Sequence, residues 1–363
     1  MGANPGAGIK RVGELSLMDL ASIDLVLRGG SVVDWQRVHF ESNEEIQGFL
    51  RAQELDLARQ ADRVRIEAIK QAAIEYLRRQ FRFPIPRPIE RAPVEELLLV
   101  ASGKGHRQLC ACTVLKAMHI IHHVDARELR FSLPISEQEM LRLVEERVYR
   151  LVGHMLAVGL PIMEFVGGRK RRDAIYTKLL SKPDAHATAI YDKLRFRLVT
   201  RDRSSILPVL QYLLTHLFPF NYVVPGESTN TIFQLRSFCE ADPDLRDRTP
   251  RLSLGDELSG SPNQFSSEHF RIVHFVVDVP VRVPDEMLAA APGPVRTLGQ
   301  VVFALCEFQL VDRKTEEANE ASEASHASYK ERQKQAVTRR LKLGRPTAAD
   351  VDQVRGQRRK DGD

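Results

Sequence analysis

The sequence predicts a chain of two textures: mostly helix to about residue 160, then strands interleaved with helices, of α/β or α+β class. Three observations carry this. Leu17, Leu20, Ile23 and Leu27 recur at helical spacing, and similar stripes follow them through the first part. Leu194, Phe196 and Leu198 alternate with Lys193, Arg195 and Arg197, the period of a strand with one polar face. Val301 to Val311 is an apolar run of strand length with a single carboxylate, Glu307, inside it.

Each element has a local reason. Ser16 caps the first helix and Gly29-Gly30 ends it. Asn43 opens a second helix, with Ile46, Phe49 and Leu50 on one face. Asp56 to Phe81 reads as a long amphipathic helix, stopped by the proline run 83–88, which reads as a linker or strap. Helices follow over 93–101 and 108–124. Ser136 with Glu139 has the spacing of a capping box and starts a helix ending near Gly159. Beyond it come a short strand at 162–166, a helix at 171–180, the alternating strand at 192–200 and a helix at 204–218. Residues 221–224 read as a strand and 226–265 as a long polar loop. Strands at 269–283 and 300–311 and a charged helix at 313–340 complete the chain. The flexible ends fall at 1–12 and 341–363.

At 363 residues the chain has room for two domains. A net charge of +5 permits phosphate or nucleic-acid partners without demanding them. No apolar run reaches the ~18 residues that span a membrane, and the first residues lack the apolar centre of a secretory signal. Cys110, Cys112, Cys239 and Cys306 are few and unevenly spaced, which fits reduced thiols in a cytoplasm better than a disulfide framework.

Three groups of residues carry chemistry. Gly167-Gly-Arg-Lys-Arg-Arg172 reads as a glycine turn opening a helix with four cations. Cations are unfavourable at a helix N-terminus unless an anion sits among them, so the segment reads as a polyphosphate cradle or as a solvated basic corner. Asp192 heads a strand, either as a solvated end or as a ligand. Glu307, alone in an apolar run, either pairs with an arginine or binds a metal, and Gln309 shares its face. Two carboxylates beside such cations are the parts of metal-assisted phosphoryl transfer. His119 and His123 stand one helical turn apart near His122, Cys110 and Cys112. Their spacing matches no standard zinc signature, so the reading is a helix with Met118, Ile120 and Ile121 in the core and histidines at its edge.

Several segments, in order, resemble the synthetase domain of the RelA/SpoT family, the (p)ppGpp synthetases. Gly168-Arg-Lys…Ala-Ile-Tyr-Thr-Lys178 resembles the family element that grips ATP phosphates. Tyr191-Asp-Lys-Leu-Arg-Phe-Arg197 resembles its Asp-x-x-(Ala/Gly)-x-Arg strand, and His269-Phe-Arg-Ile-Val-His274 its Gly-Tyr-x-Ser-(Leu/Ile)-His element. Glu307-Phe-Gln-Leu-Val-Asp312 resembles Glu-(Val/Ile)-Gln-Ile-Arg-Thr, and Ser325-His-Ala-Ser-Tyr-Lys330 resembles Ala-His-x-x-Tyr-Lys. The match spans roughly 137–335.

The resemblance implies an α+β fold: an all-helical N-terminal region (13–135) of unassigned role, then a nucleotidyltransferase-like mixed β-sheet flanked by helices (136–340). It implies that Arg169, Lys170 and Lys178 hold the ATP phosphates and that Mg²⁺ bridges them to Asp192. Glu307 is then the second ligand or the base toward the acceptor. Phe270 stacks on the acceptor base, Arg197 and His274 support it, and Gln309, His326, Tyr329 and Lys330 complete the site. The implied reaction moves the β,γ-pyrophosphate of ATP to the ribose 3′-hydroxyl of GDP or GTP, the alarmone chemistry of the stringent response. The same donor half also serves a tRNA 3′ end as acceptor, or a nucleotide-binding protein without turnover.

The departures fall mostly on the acceptor side: Ala174 for Ser, Phe270 for Tyr, Glu268 and His269 for Asn-Gly, Asp312 for Thr. No His-Asp dipeptide occurs, so the metal motif of the bifunctional members' hydrolase domain is not present in this sequence. The cations 339–342 and 358–360 read as a solvated tail able to touch RNA.

Overall fold

The computed structural model describes residues 9–181, 193–258, 269–321 and 326–343. Helices α1 (Leu17–Arg28), α2 (Asn43–Ala52), α3 (Gln60–Phe81), α4 (Arg87–Arg91), α5 (Val94–Ser102), α6 (His106–Ser132) and α7 (Glu137–Ala157) precede the first strand. The rest alternates: β1 (Ile162–Arg169), α8 (Arg172–Ser181), β2 (Leu194–Thr200), α9 (Ile206–His216), β3 (Thr229–Asn230), α10 (Leu235–Ala241), β4 (Val273–Arg282), α11 (Asp285–Ala289), β5 (Val301–Asp312), α12 (Arg313–Ala321) and α13 (His326–Leu343). The class is α+β, as expected.

Helix starts follow the caps. The Ser16 hydroxyl accepts from the Asp19 N–H, and the Asp19 carboxylate returns the bond to the Ser16 N–H, satisfying two donors that the first turn leaves open. Gly29, at φ +64°, closes α1 in the left-handed region that glycine enters without strain. Ser136 accepts from the Glu139 N–H at 3.1 Å and starts α7.

The sheet order is β1-β2-β5-β4-β3. Only the central pair β2–β5 is parallel; β1–β2, β5–β4 and β4–β3 are antiparallel. Alternation splits the sheet into two faces. On one, Phe196, Phe275 and Phe308 pack on each other and, with Phe218 after α9, form an aromatic core, the Phe275 and Phe308 rings stacked at 5.7 Å. The other carries polar side chains at the β2 end of the sheet and meets α3 and α6 farther along the strands. The apolar core runs without a break from Leu15 in the helical part to Val311 in β5.

Several expectations are corrected. Gly167 and Gly168 make no turn; they lie inside β1, which runs on to Arg169. A Cβ on Gly167 would meet Phe196 Cδ1 at 2.6 Å, so the close approach of that ring is what calls for glycine. The helix after β1 starts at Arg172, so Arg169 belongs to the strand. The helix expected from Asp56 begins at Gln60, and the proline strap turns into α4, with Pro88 in its first turn. Residues 220–222 form a 3₁₀ turn rather than a strand, and Val223 makes a single bridge to Val277. The polar stretch after Gly226 holds β3 and α10. In α6, Met118 is buried and Ile121 packs partly buried against the core as expected, but Ile120 is exposed and His122 is buried.

Candidate active site

β2 and β5 run side by side, so Arg195 lies opposite Glu307 and Arg197 opposite Gln309. β4 adds His274 opposite Gln309 from the other side. These five side chains therefore share one face, and a polar row crosses three strands. Arg197 Nη1 donates to Glu316 of α12 at 2.5 Å, and its Nε donates to Gln309 Oε1 at 3.1 Å. Gln309 Nε2 donates to Glu307 Oε1 at 2.6 Å. Arg195 Nη2 donates to Glu307 Oε2 at 3.2 Å, while its Nε sits 3.1 Å from Oε1, in ion-pair reach but off the hydrogen-bond line. His274 Nε2 is 3.4 Å from the same oxygen.

Glu307 is 4% exposed, and an isolated carboxylate there would be protonated. Burial does push its carboxyl up. The Arg195 charge, the His274 ring and the Gln309 amide more than reverse that push and leave the group well below the usual carboxylate range. The side chain is ionised because its partners are cations and donors. His274 Nδ1 is buried with no partner among the described residues, which fits an imidazole whose proton is on Nε2, facing Glu307.

The phosphate-side residues sit at the β1 edge. Arg169 donates from Nε and Nη2 to Glu145 of α7, at 3.0 and 2.8 Å. The Lys170 N–H donates to the Lys193 carbonyl, two residues before Arg195. Lys178 lies on α8, and α13, which carries His326, Tyr329 and Lys330, packs on α8: Gln333 Nε2 donates to Ser181 and Arg340 to the Leu180 carbonyl. Phe270 is half-buried just before β4. The buried Asn319 of α12 clamps its neighbour, accepting from the Arg271 N–H at 3.0 Å and donating to the Arg271 carbonyl at 2.8 Å. Asp192 and Glu268 lie outside the described residues.

The structure thus brings Arg197, His274, Glu307 and Gln309 into one network. Sequence reasoning left open which arginine meets Glu307, and it missed Glu316, Asn319 and Glu145. The alternation of Lys193, Arg195 and Arg197 was the available signal for Arg195; the parallel register supplied the partner.

Of the two expected Mg²⁺ ligands, Glu307 lies among the described residues and Asp192 does not. Glu307 is already met by two cationic or donor side chains and an amide, and no group of three metal-ligating side chains lies together among the described residues. Nor do the histidines of α6 form a metal group there. His123 stacks on Phe303 at 4.3 Å, His122 meets the same ring edge-on, and Asn221 approaches His119 Nδ1 at 3.2 Å. All four cysteines are unbridged and buried. No helix among the described residues is long and apolar enough to cross a membrane.

No family model and no curated protein sequence matches the chain. Solved structures do. The small alarmone synthetase 1 from Bacillus subtilis bound to its product pppGpp is 14% identical over 64% of this chain and 97% of its own, with a TM-score of 0.30. The small alarmone synthetase 2 from the same organism is 15% identical over 56% of this chain and 94% of its own, TM-score 0.30. A GTP pyrophosphokinase family protein from Streptococcus pneumoniae is 12% identical over 62% and 95%, TM-score 0.26. Likeness this loose carries no argument about activity; the chemistry has to be argued from this chain's own side chains.

Proposed function

We propose that the chain is a nucleotide pyrophosphokinase that transfers the β,γ-pyrophosphate of ATP to the ribose 3′-hydroxyl of GDP or GTP. One observation carries this reading. Residues of separate motif segments, as far apart as Arg197 and Gln309, which are 112 positions apart, meet in one hydrogen-bonded row around an ionised, buried carboxylate. Such a row is costly to assemble for stability alone, because each buried polar group must find its partners.

In the reaction the 3′-oxygen bonds to the β-phosphorus, the bond from that phosphorus to the α,β-bridging oxygen breaks, and AMP leaves with that oxygen. Arg169, Lys170 and Lys178 offset the phosphate charge. Glu307 is too acidic to serve as a base while Arg195 and His274 flank it. A polyphosphate competes for Arg195. As that guanidinium turns toward phosphate, Glu307 loses counter-charge, its proton affinity rises as burial favours, and it takes the 3′-hydroxyl proton.

The Arg195–Glu307 pair also favours a second reading, a nucleotide binder without turnover, in which the pair stays closed. Incubation of the full chain with Mg²⁺, γ-labelled ATP and GDP or GTP decides between them. Label appearing on the guanine nucleotide with equal release of AMP is the expected result. ATP binding with no transfer establishes the second reading, and absence of both binding and transfer overturns both.

A further inference from the structure

A second cleft lies away from the polar row. It is framed by α1, residues 30–39, residues 103–108, Phe220 and residues 250–257, and none of β1, β2, β4 or β5 contributes to it. Its volume is about 990 Å³, within the range of small-ligand sites. A smaller cavity of about 500 Å³ opens from the same residues, Arg37, His39, Lys104 and Arg251.

The two walls differ in chemistry. One is apolar, with Met18, Leu25, Trp35 and Phe220. Trp35 is held edge-on to Phe220 at 5.1 Å, and Phe49 stacks behind Phe220 at 5.8 Å. The indole N–H of Trp35 is buried with no acceptor among the described residues. The other wall is cationic. Among the described residues Arg37 donates to the Gly103 carbonyl at 3.3 Å, and Arg251 makes a long, exposed contact with Glu41 at 3.6 Å. Lys104 is exposed at the rim. Asp34 and Glu257 also line the cleft, and Asp24 there is engaged by Arg28 and the Gly255 N–H. Between Arg37 and Arg251 sits His39, whose ring is pushed down to about 4 by burial and by those two charges. Guanidinium groups so placed, with Glu41 beside them only at 3.6 Å from Arg251, can take phosphate.

We propose that this cleft binds a nucleoside phosphate at a site separate from the polar row, with its base on the Trp35 side and its phosphates toward Arg37, Lys104 and Arg251. A base offers the planar face that an aromatic wall favours and the carbonyl or ring nitrogen that an unpartnered N–H needs. A phosphate offers a counter-charge to Arg37, Lys104 and Arg251. The site goes beyond the proposed reaction and stands or falls separately from it.

Trp35 is the sole tryptophan of the chain, so its emission reads this cleft alone. The full-length protein is titrated with GTP, GDP, ATP, guanosine and inorganic tripolyphosphate. A nucleoside triphosphate or diphosphate should change the emission saturably, while guanosine and tripolyphosphate should each need far higher concentrations. Lys104→Ala, an exposed change that leaves the fold intact, and Arg251→Ala should each weaken binding by about tenfold, the loss of one charge-assisted contact. Lys178→Ala, in the other site, should leave the titration unchanged. Bound phosphate should also raise the His39 titration from about 4, read by NMR. Absence of any saturable change overturns the proposal. So does a change undiminished in Lys104→Ala and Arg251→Ala, or one abolished by Lys178→Ala. Tripolyphosphate binding as tightly as GTP would overturn the nucleoside part and leave a phosphate site.

Discussion

Two regions on the same face of the sheet treat buried titratable groups in opposite ways. Near one end of β5, Glu307 is buried and ionised, because Arg195, His274 and Gln309 surround it. Four residues earlier on the strand, Phe303 receives His122 and His123 of α6. His122 is fully enclosed, neither ring nitrogen has a partner among the described residues, and burial with the nearby His123 and Arg65 charges pushes it down to about 3. His119 beside it is pushed down too, first by burial and then by the other two histidines. Burial opposes charge in both places. Partners of opposite sign win at Glu307, and at His122 the neighbouring charges have the same sign. The face therefore holds a charged row around Glu307 and, farther along, the uncharged His122 beside the Arg282–Asp62 ion pair, where the helical region is seated.

The largest way to break this contrast is Arg195→Ala. It leaves Glu307 buried without its main counter-charge and should cost about 3 kcal/mol, the low end for a broken buried pair, because His274 and Gln309 remain. Urea denaturation at pH 7 checks it; an unchanged midpoint would mean that the pair carries no such weight. His274→Ala removes the lesser partner and should cost about 2 kcal/mol by the same measurement.

The acid side separates the two regions by pH. Glu307 is depressed in the folded state, so its stabilisation is whole above the ordinary carboxylate value of 4.5 and is lost as pH falls below it. The folded state also resists protonation of His122, whereas the unfolded chain takes the proton at the ordinary 6.5. Stability should therefore begin to fall below about pH 6.5, by up to about 1.4 kcal/mol per pH unit for each such histidine. His122→Phe should flatten that slope by one proton between pH 6 and 5 while leaving the fall below 4.5 in place. A slope unaltered by the substitution would place the acid sensitivity elsewhere.

Asp278→Asn gives the smallest effect. Its carboxylate lies 3.6 Å from His123 Nε2 and both side chains are partly exposed, so the change should stay below about 1 kcal/mol. A larger loss would show that the His123 contact depends on this charge.

Much of the site was legible one residue at a time. Glu307 stood out as a carboxylate in an apolar run, and pairing with an arginine was one of its two readings. Which arginine was not legible. Arg195 and Glu307 meet through a parallel register, which joins segments that share no local signal. Ile120 and His122 in α6 show the same limit. Its stripe of apolar residues allowed Ile120 inside, but aromatic Phe303 and Tyr222 receive His123 instead, since an imidazole ring packs on aromatic rings. Gly167 misled because glycine signals a turn and a close approach equally well.

The sequence by itself determined the helix caps, the alternation of β2, the apolar run of β5 and the order of its motifs, because each rests on residues within a few positions of one another. Tertiary structure decided the ionisation of Glu307, the neutrality of His122 and the two-walled cleft around Trp35. Those are properties of electrostatic surroundings, set by groups from distant segments that only the packed sheet and helices bring within a few ångströms.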